Sequence, residues 1–343
     1  MSNPLVIWGA GAIGGTIGAY FVRAGMEVLF VDSAADHVAA LREGGLHIEG
    51  PLETFHVPVQ AATPAEVHGR FDRILLCVKA HHTAGAAREL LPHLAESGYV
   101  ASFQNGLNEF VIGRETGLER VIGAFVNFGA DYLAPGRILY GGRGACVVGE
   151  LDGQPSMRVQ ALHRDLLAFE PEAIVTDDIL GYLWGKLGYG ALLFATALTD
   201  DSIADALDAR EHRAVLAAVA QEVMAVATAR GMRPRGFNGF DPAAFAPGAG
   251  AAAIDASMQA MVGHNRRSAK SHSGIWRDLA VRRRPTEVDA QLGPIVAEGA
   301  ALGIPTPVTA RLIALIHEIE EGRRALGRDN LAVLAQALGS VPG

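Results

Sequence analysis

Two groups of residues in this 343-residue chain could do chemistry. The first is the run Gly9-Ala10-Gly11-Ala12-Ile13-Gly14, followed by Asp32. Gly9 would permit a tight turn, Gly11 would let the backbone approach a pyrophosphate, and Gly14 would allow close helix–strand packing. The pyrophosphate would rest on the leading N–H groups of the next helix, which favour negative charge. With 41 glycines in the chain the run alone is weak, since glycines also simply cap turns. The context strengthens it: an apolar run precedes, a helical one follows, and Asp32 ends a second strand pattern about 20 residues on. A carboxylate there accepts hydrogen bonds from the ribose hydroxyls and repels a 2′-phosphate. Ser33-Ala34-Ala35-Asp36 offers no arginine or lysine to hold such a phosphate, so NAD is expected over NADP. The second group centres on Lys186, which stands in the apolar stretch 179–198. An ammonium there is either a surface lysine with its stem along apolar neighbours or a proton donor in a water-poor site. Leu183, Trp184 and Leu187 around it cover more than one helix face, which narrows a route to solvent.

These residues need elements to position them. Leu5-Val6-Ile7-Trp8 is apolar without alternation, as a parallel strand covered on both faces would be. Residues 13–24 read as a helix closed by Gly25, 27–31 as a strand and 34–43 as a helix. Further strands are expected at 73–78, 99–103 and 120–125. Strands separated by helices of this length predict a doubly wound parallel sheet. From Asp177 onward the pattern turns helical, over 179–197, 210–230, 254–262, 286–302 and 307–321, with 231–250 as a long loop. The expected fold class is therefore an α/β Rossmann domain over residues 1–170, followed by an all-α domain over 171–335.

Bulk properties narrow the function. A formal charge of −8 argues against a nucleic-acid partner. Cys77 and Cys146 form no CxxC pair or disulfide framework, as expected in a reducing compartment. The N-terminus shows no signal-peptide pattern, and a membrane helix would not place Lys186 near its middle. A cytoplasmic protein with no membrane partner is expected. The twelve histidines are scattered, and His81-His82 has no carboxylate or cysteine at ligand spacing, so no metal is expected.

Four further segments, in order, give the chain a resemblance to a known family. Val78-Lys79-Ala80, Gln104-Asn105-Gly106, Leu183-Trp184-Gly185-Lys186-Leu187 and Pro285-Thr286-Glu287-Val288-Asp289 resemble the ketopantoate reductases (2-dehydropantoate 2-reductases). The resemblance implies hydride transfer between a nicotinamide cofactor and a 2-oxo or 2-hydroxy acid. It implies that Lys186 is the general acid on the carbonyl oxygen, where an uncompensated alkoxide would be costly. It further implies that Asn105 lies near nicotinamide and substrate, that Lys79 lies at the active cleft, and that Glu287 contacts cofactor ribose or substrate. Each of the last three has a plainer alternative: an Asn-Gly turn, an exposed strand-end lysine, and an acid favoured by a helix dipole.

The chain also departs from that family. Where asparagines commonly follow the lysine four and eight residues on, it has Gly190 and Phe194, which would open space and make one pocket wall apolar. The expected serine is roughly matched by Ser273, with His272 and Arg277 as further candidates for the substrate carboxylate. The expected enzyme is therefore an NAD-dependent member of the family, or one acting on a bulkier 2-hydroxy acid or alcohol. A non-catalytic NAD(H) sensor is the alternative from another class. A homodimer is implied by the resemblance.

Overall fold

The computed structural model describes residues 3–268 and 271–339, and the chain divides into two units between Ile179 and Leu180. The strands of the first unit are β1 (Leu5–Trp8), β2 (Val28–Val31), β3 (Leu46–Glu49), β4 (Phe55–Val57), β5 (Gln60–Ala62) and β6 (Phe71–Leu76). They continue with β7 (Leu94–Ser102), β8 (Val121–Val126), β9 (Gly129–Ala134), β10 (Arg137–Gly142), β11 (Cys146–Glu150) and β12 (Ile174–Val175). Its helices are α1 (Ala12–Arg23), α2 (Ala35–Gly44), α3 (Thr83–Leu90), α4 (Asn108–Thr116) and α5 (Met157–Leu166).

The main sheet has the order β12-β11-β8-β7-β6-β1-β2-β5. From β8 to β5 every neighbouring pair is parallel, while β11 returns antiparallel beside β8 and β12 runs parallel to β11. The expected doubly wound sheet is present. Its central strand, β1, is fully enclosed, which is why its sequence shows no alternation. Parallel strands send their carboxyl ends to one edge. The loops after β7, β6, β1 and β2, which carry Asn105, Lys79, Gly9 and Asp32, therefore lie side by side there.

A second, four-stranded sheet of order β4-β3-β10-β9 was not expected from the sequence. Its strands are short, and β3 pairs with β10 far along the chain, joining His47 to Arg137. No local pattern announces such a pairing. The sheet covers α1: a Cβ on Gly15 would fall 2.2 Å from Ile138 Cδ1.

The second unit is helical, as expected from 177 onward. It comprises α6 (Ile179–Thr196, its first residue at the unit boundary), α7 (Ile203–Asp208), α8 (Arg213–Ala229), α9 (Ala251–Arg267), α10 (Gly274–Trp276), α11 (Val288–Leu302), α12 (Pro307–Glu320) and α13 (Asp329–Ala335). A π-helical turn, Arg277–Arg282, continues α10. Helix α6 is apolar on nearly every side because nearly every side is packed. Its two middle glycines let neighbours come close. A Cβ on Gly185 would meet Arg235 O at 1.9 Å, and one on Gly188 would meet Met224 and Phe240 at 2.7 and 2.8 Å. The Arg235 N–H donates to Gly181 O at 2.8 Å, so a neighbouring loop is bound to the helix backbone itself. These contacts fix the rotation of α6 and so decide which side Lys186 faces.

Gly185→Ala should therefore lower the melting temperature by about 4 °C or more, since overpacking against backbone costs roughly 1–3 kcal/mol. Gly190→Ala, on the same helix but without such a neighbour, should leave it unchanged or slightly higher. Thermal melts of the two variants by circular dichroism check this contrast.

Candidate active site

The glycine run forms the β1–α1 turn. Gly9 takes a φ of 103°, and a Cβ there would fall 2.7 Å from the Val78 nitrogen, so the turn lies directly on the end of β6. Gly14 is equally confined, with Gly9 O 2.2 Å from its missing Cβ. Gly11 differs: among the described residues, its chain neighbours apart, nothing lies within 4 Å of where its Cβ would be. It is the N-cap of α1, without a side-chain cap, and Gly11, Ala12 and Ile13 are all half-buried and reachable from outside. An open cradle at Gly11 beside uncapped helix N–H groups fits a dinucleotide pyrophosphate.

Asp32 follows β2 and is held by two backbone amides. Ala10 N–H donates to its Oδ2 at 2.9 Å and Ala34 N–H to its Oδ1 at 3.0 Å. A carboxylate has about four acceptor sites, so each oxygen keeps one outward. A residue unforeseen from the sequence, His37, locks the same loop. Its Nδ1 accepts from the Gly136 N–H at 3.0 Å, and its Nε2 lies 2.9 Å from the Ala10 carbonyl. An amide can only donate and a carbonyl only accept, so Nε2 must carry the ring proton. His37 is buried and ties the glycine turn to the β9–β10 hairpin. Its partner Gly136 lies 99 residues away, so the sequence carries no signal for it.

The next two loops are joined by a buried polar network. Gln104 Nε2 donates to Val78 O at 2.9 Å and to Thr83 Oγ1 at 2.8 Å. Thr83 Oγ1 lies 2.8 Å from both Ala80 O and Asn108 Oδ1, and Asn108 Nδ2 donates to Asn105 O at 2.6 Å. This network fixes the backbones that carry Lys79, which is half-buried, and Asn105, which is exposed. Gln104 thus supports the site, a role its place in the Gln-Asn-Gly segment could have signalled.

In the second unit, Lys186 lies on α6. The half-open residues of that helix after its first turn are Tyr182, Lys186, Gly190 and Leu193, and the rest are buried. At 100° per residue these four fall on one narrow stripe. Phe194 does not belong to it. The eighth residue after Lys186 points about 80° away, whereas the seventh returns to within about 20°. Phe194 is accordingly 0% exposed, packed inside the unit, and the expectation that it walls the same pocket is corrected. Glu287 is half-buried at the N-cap of α11. Its neighbour Thr286 anchors it, donating its N–H to Glu320 at 2.6 Å while its hydroxyl accepts from Val288 N at 3.3 Å. Gln291, one turn along α11, points its Oε1 to 3.8 Å from the missing Cβ of Gly190. The structure thus brings Gly190 together with a residue that had not been singled out.

The three carboxylate candidates are placed differently. Ser273 is buried, and its hydroxyl caps α10 by accepting from Trp276 N at 3.1 Å. The His272 ring lies against Trp276 at 4.1 Å, with Nδ1 2.9 Å from Ser271 Oγ. Arg277 opens the π-helical turn and is half-buried. Among the described residues no group of three or more His, Cys, Asp and Glu side chains could hold a metal ion. No helix among them is long and apolar enough to cross a membrane.

A glycine turn on a central parallel strand, an anchored acid after the next strand and a following helical unit define a nicotinamide-dependent oxidoreductase. The family is also shown: the chain belongs to the ketopantoate reductase family. The family models described as "Ketopantoate reductase PanE/ApbA" and its C terminal match residues 5–153 and 178–320. Curated relatives named 2-dehydropantoate 2-reductase include proteins of Mesorhizobium japonicum and Archaeoglobus fulgidus. Both are 29% identical, with 92% of this chain and 97% of each relative covered. Among solved structures, the PanE/ApbA family ketopantoate reductase of Ralstonia eutropha JMP134 is 29% identical. It has a TM-score of 0.79 and covers 94% of this chain and 100% of its own. A D-mandelate dehydrogenase solved with NADH and anilino(oxo)acetate shares the fold at 21% identity, with a TM-score of 0.80 and 93% and 98% coverage.

His37→Phe would leave the Ala10 carbonyl and the Gly136 amide without their partner, at roughly 1–3 kcal/mol for each buried group left unpaired. The variant should melt at least about 4 °C lower and bind NADH several-fold more weakly. Differential scanning calorimetry and a fluorescence titration with NADH read the two effects.

Proposed function

We propose that this protein interconverts a 2-oxo acid and a 2-hydroxy acid, with NADH preferred over NADPH and Lys186 as the general acid. The observation that carries the reading is the place of Lys186. It is the one side chain of a charged residue type on the half-open stripe of a helix otherwise buried, apart from its first-turn residues. Bound NADH would supply the hydride to the carbonyl carbon of the substrate. As the carbonyl oxygen gains charge, the Lys186 ammonium would first hydrogen-bond it and then release a proton to it, giving the hydroxyl. Glu287 and Asn105 would orient substrate and nicotinamide, and Lys79 would help hold the cofactor.

The cofactor preference rests on Asp32. With one acceptor site left on each anchored oxygen, it can receive two ribose hydroxyls, and its charge opposes a 2′-phosphate. Ser33, Ala34 and Ala35 are exposed and supply no cation. A second reading, a bulkier 2-hydroxy acid as substrate, is favoured by the open space at Gly190. We also propose a cytoplasmic homodimer, which light scattering would check by mass.

Two outcomes are expected. Lys186→Ala should lower kcat at least about a hundredfold, in the range for loss of a general acid, with the Kd for NADH within about threefold of wild type; near-normal turnover would refute the role. Asp32→Asn should shrink the NADH-over-NADPH preference in kcat/KM at least about tenfold, which corresponds to about 1.4 kcal/mol. A wild-type preference for NADPH would refute the assignment.

A further inference from the structure

We infer that Gln291 is a specificity residue, whose side-chain amide receives a hydrogen-bonding group of the substrate in the space beside Gly190. The inference rests on the proposed 2-oxo acid reaction and names a contact that this reaction would use. Gln291 is only 8% exposed, yet its side-chain amide makes no hydrogen bond to any described residue. Its backbone N–H is spent in the helix, donating to Glu287 O at 2.9 Å. An amide carries two donors and an acceptor with two lone pairs, and without protein partners these are left for water or a ligand group to meet. A methionine would fill about the same volume without those donors and acceptors.

The surroundings show where the missing partner would sit. Among the described residues, and beyond α6's own backbone and the chain neighbours, Gln291 Oε1 is the one heavy atom within 4 Å of the absent Gly190 Cβ, and Gly190 lies on the half-open stripe one turn from Lys186. One helical turn is about 5.4 Å. A substrate whose reacting carbonyl meets Lys186 would therefore bring to Gln291 a group two or three bonds further along its chain. The amide both donates and accepts, so a distal hydroxyl matches it and a bare methyl does not. Gln291 thus makes polar a subsite that Gly190, taken alone, leaves apolar and open.

Steady-state kinetics with NADH test this on two acids that differ only in that group: ketopantoate, with a terminal hydroxyl, and 3,3-dimethyl-2-oxobutanoate, without it. Gln291→Met is expected to lower kcat/KM for ketopantoate at least about tenfold while leaving the other substrate within about threefold. Gly190→Asn added to that variant returns an amide from the α6 side and should recover part of the loss. Equal losses on both substrates, or no loss on either, overturn the inference. If neither acid is turned over although NADH binds, the proposed reaction is what fails, and the melting temperature decides Gln291 separately. Gln291→Met should then melt within about 2 °C of wild type or higher, as expected when an amide without a protein partner is replaced by an apolar chain of similar volume. A melting temperature lower than that would mean the amide serves the fold, and would overturn the inference.

Discussion

The contact on which the first unit depends is the one between the β1–α1 turn and the end of β6. At Gly9 and Gly14 there is no room for a methyl group: the nearest backbone atoms lie 2.7 and 2.2 Å from where one would be. That closeness sets α1 tightly on the sheet and aims its leading N–H groups at the carboxyl edge. Everything else at that edge is built around the turn. Asp32 accepts from Ala10 N, His37 faces Ala10 O, and the Gln104–Thr83–Asn108 network fixes the two neighbouring loops. Gly11 alone is left with open space, where a ligand rather than protein can approach.

The second unit solves a different problem, that of keeping a charged side chain on an apolar helix. Gly185 and Gly188 let the helix's neighbours close in, and Gly181 O binds a loop amide directly. With those sides sealed, the open stripe through Lys186 and Gly190 is what remains. Its polar character comes from α11, where Gln291 reaches toward Gly190 and Glu287 stands one turn before it.

What could be read from the sequence was what is local in it. The glycine turn and Asp32 were legible because strand, turn, helix and acid follow one another within a few dozen residues. Lys186 was legible because it breaks an apolar run. Phe194 was misjudged through a phase error: eight residues overshoot two helical turns, and Leu193 takes the place assigned to it. The small sheet, His37 and Gln291 were not legible at all. Each depends on a partner far along the chain, and neither a lone histidine nor a glutamine in a helix announces where its polar atoms will end up. The glycine at 190 was seen as lost polarity because the residue that faces it belongs to another helix.

The most direct test of the account is NADH oxidation at 340 nm by the wild-type protein, with ketopantoate and a panel of bulkier 2-oxo acids as substrates. Steady turnover of at least one of them is expected, faster with NADH than with NADPH. Tight NADH binding with no turnover of any 2-oxo acid would contradict it, and would mark the protein as one that holds the cofactor without using it in this reaction.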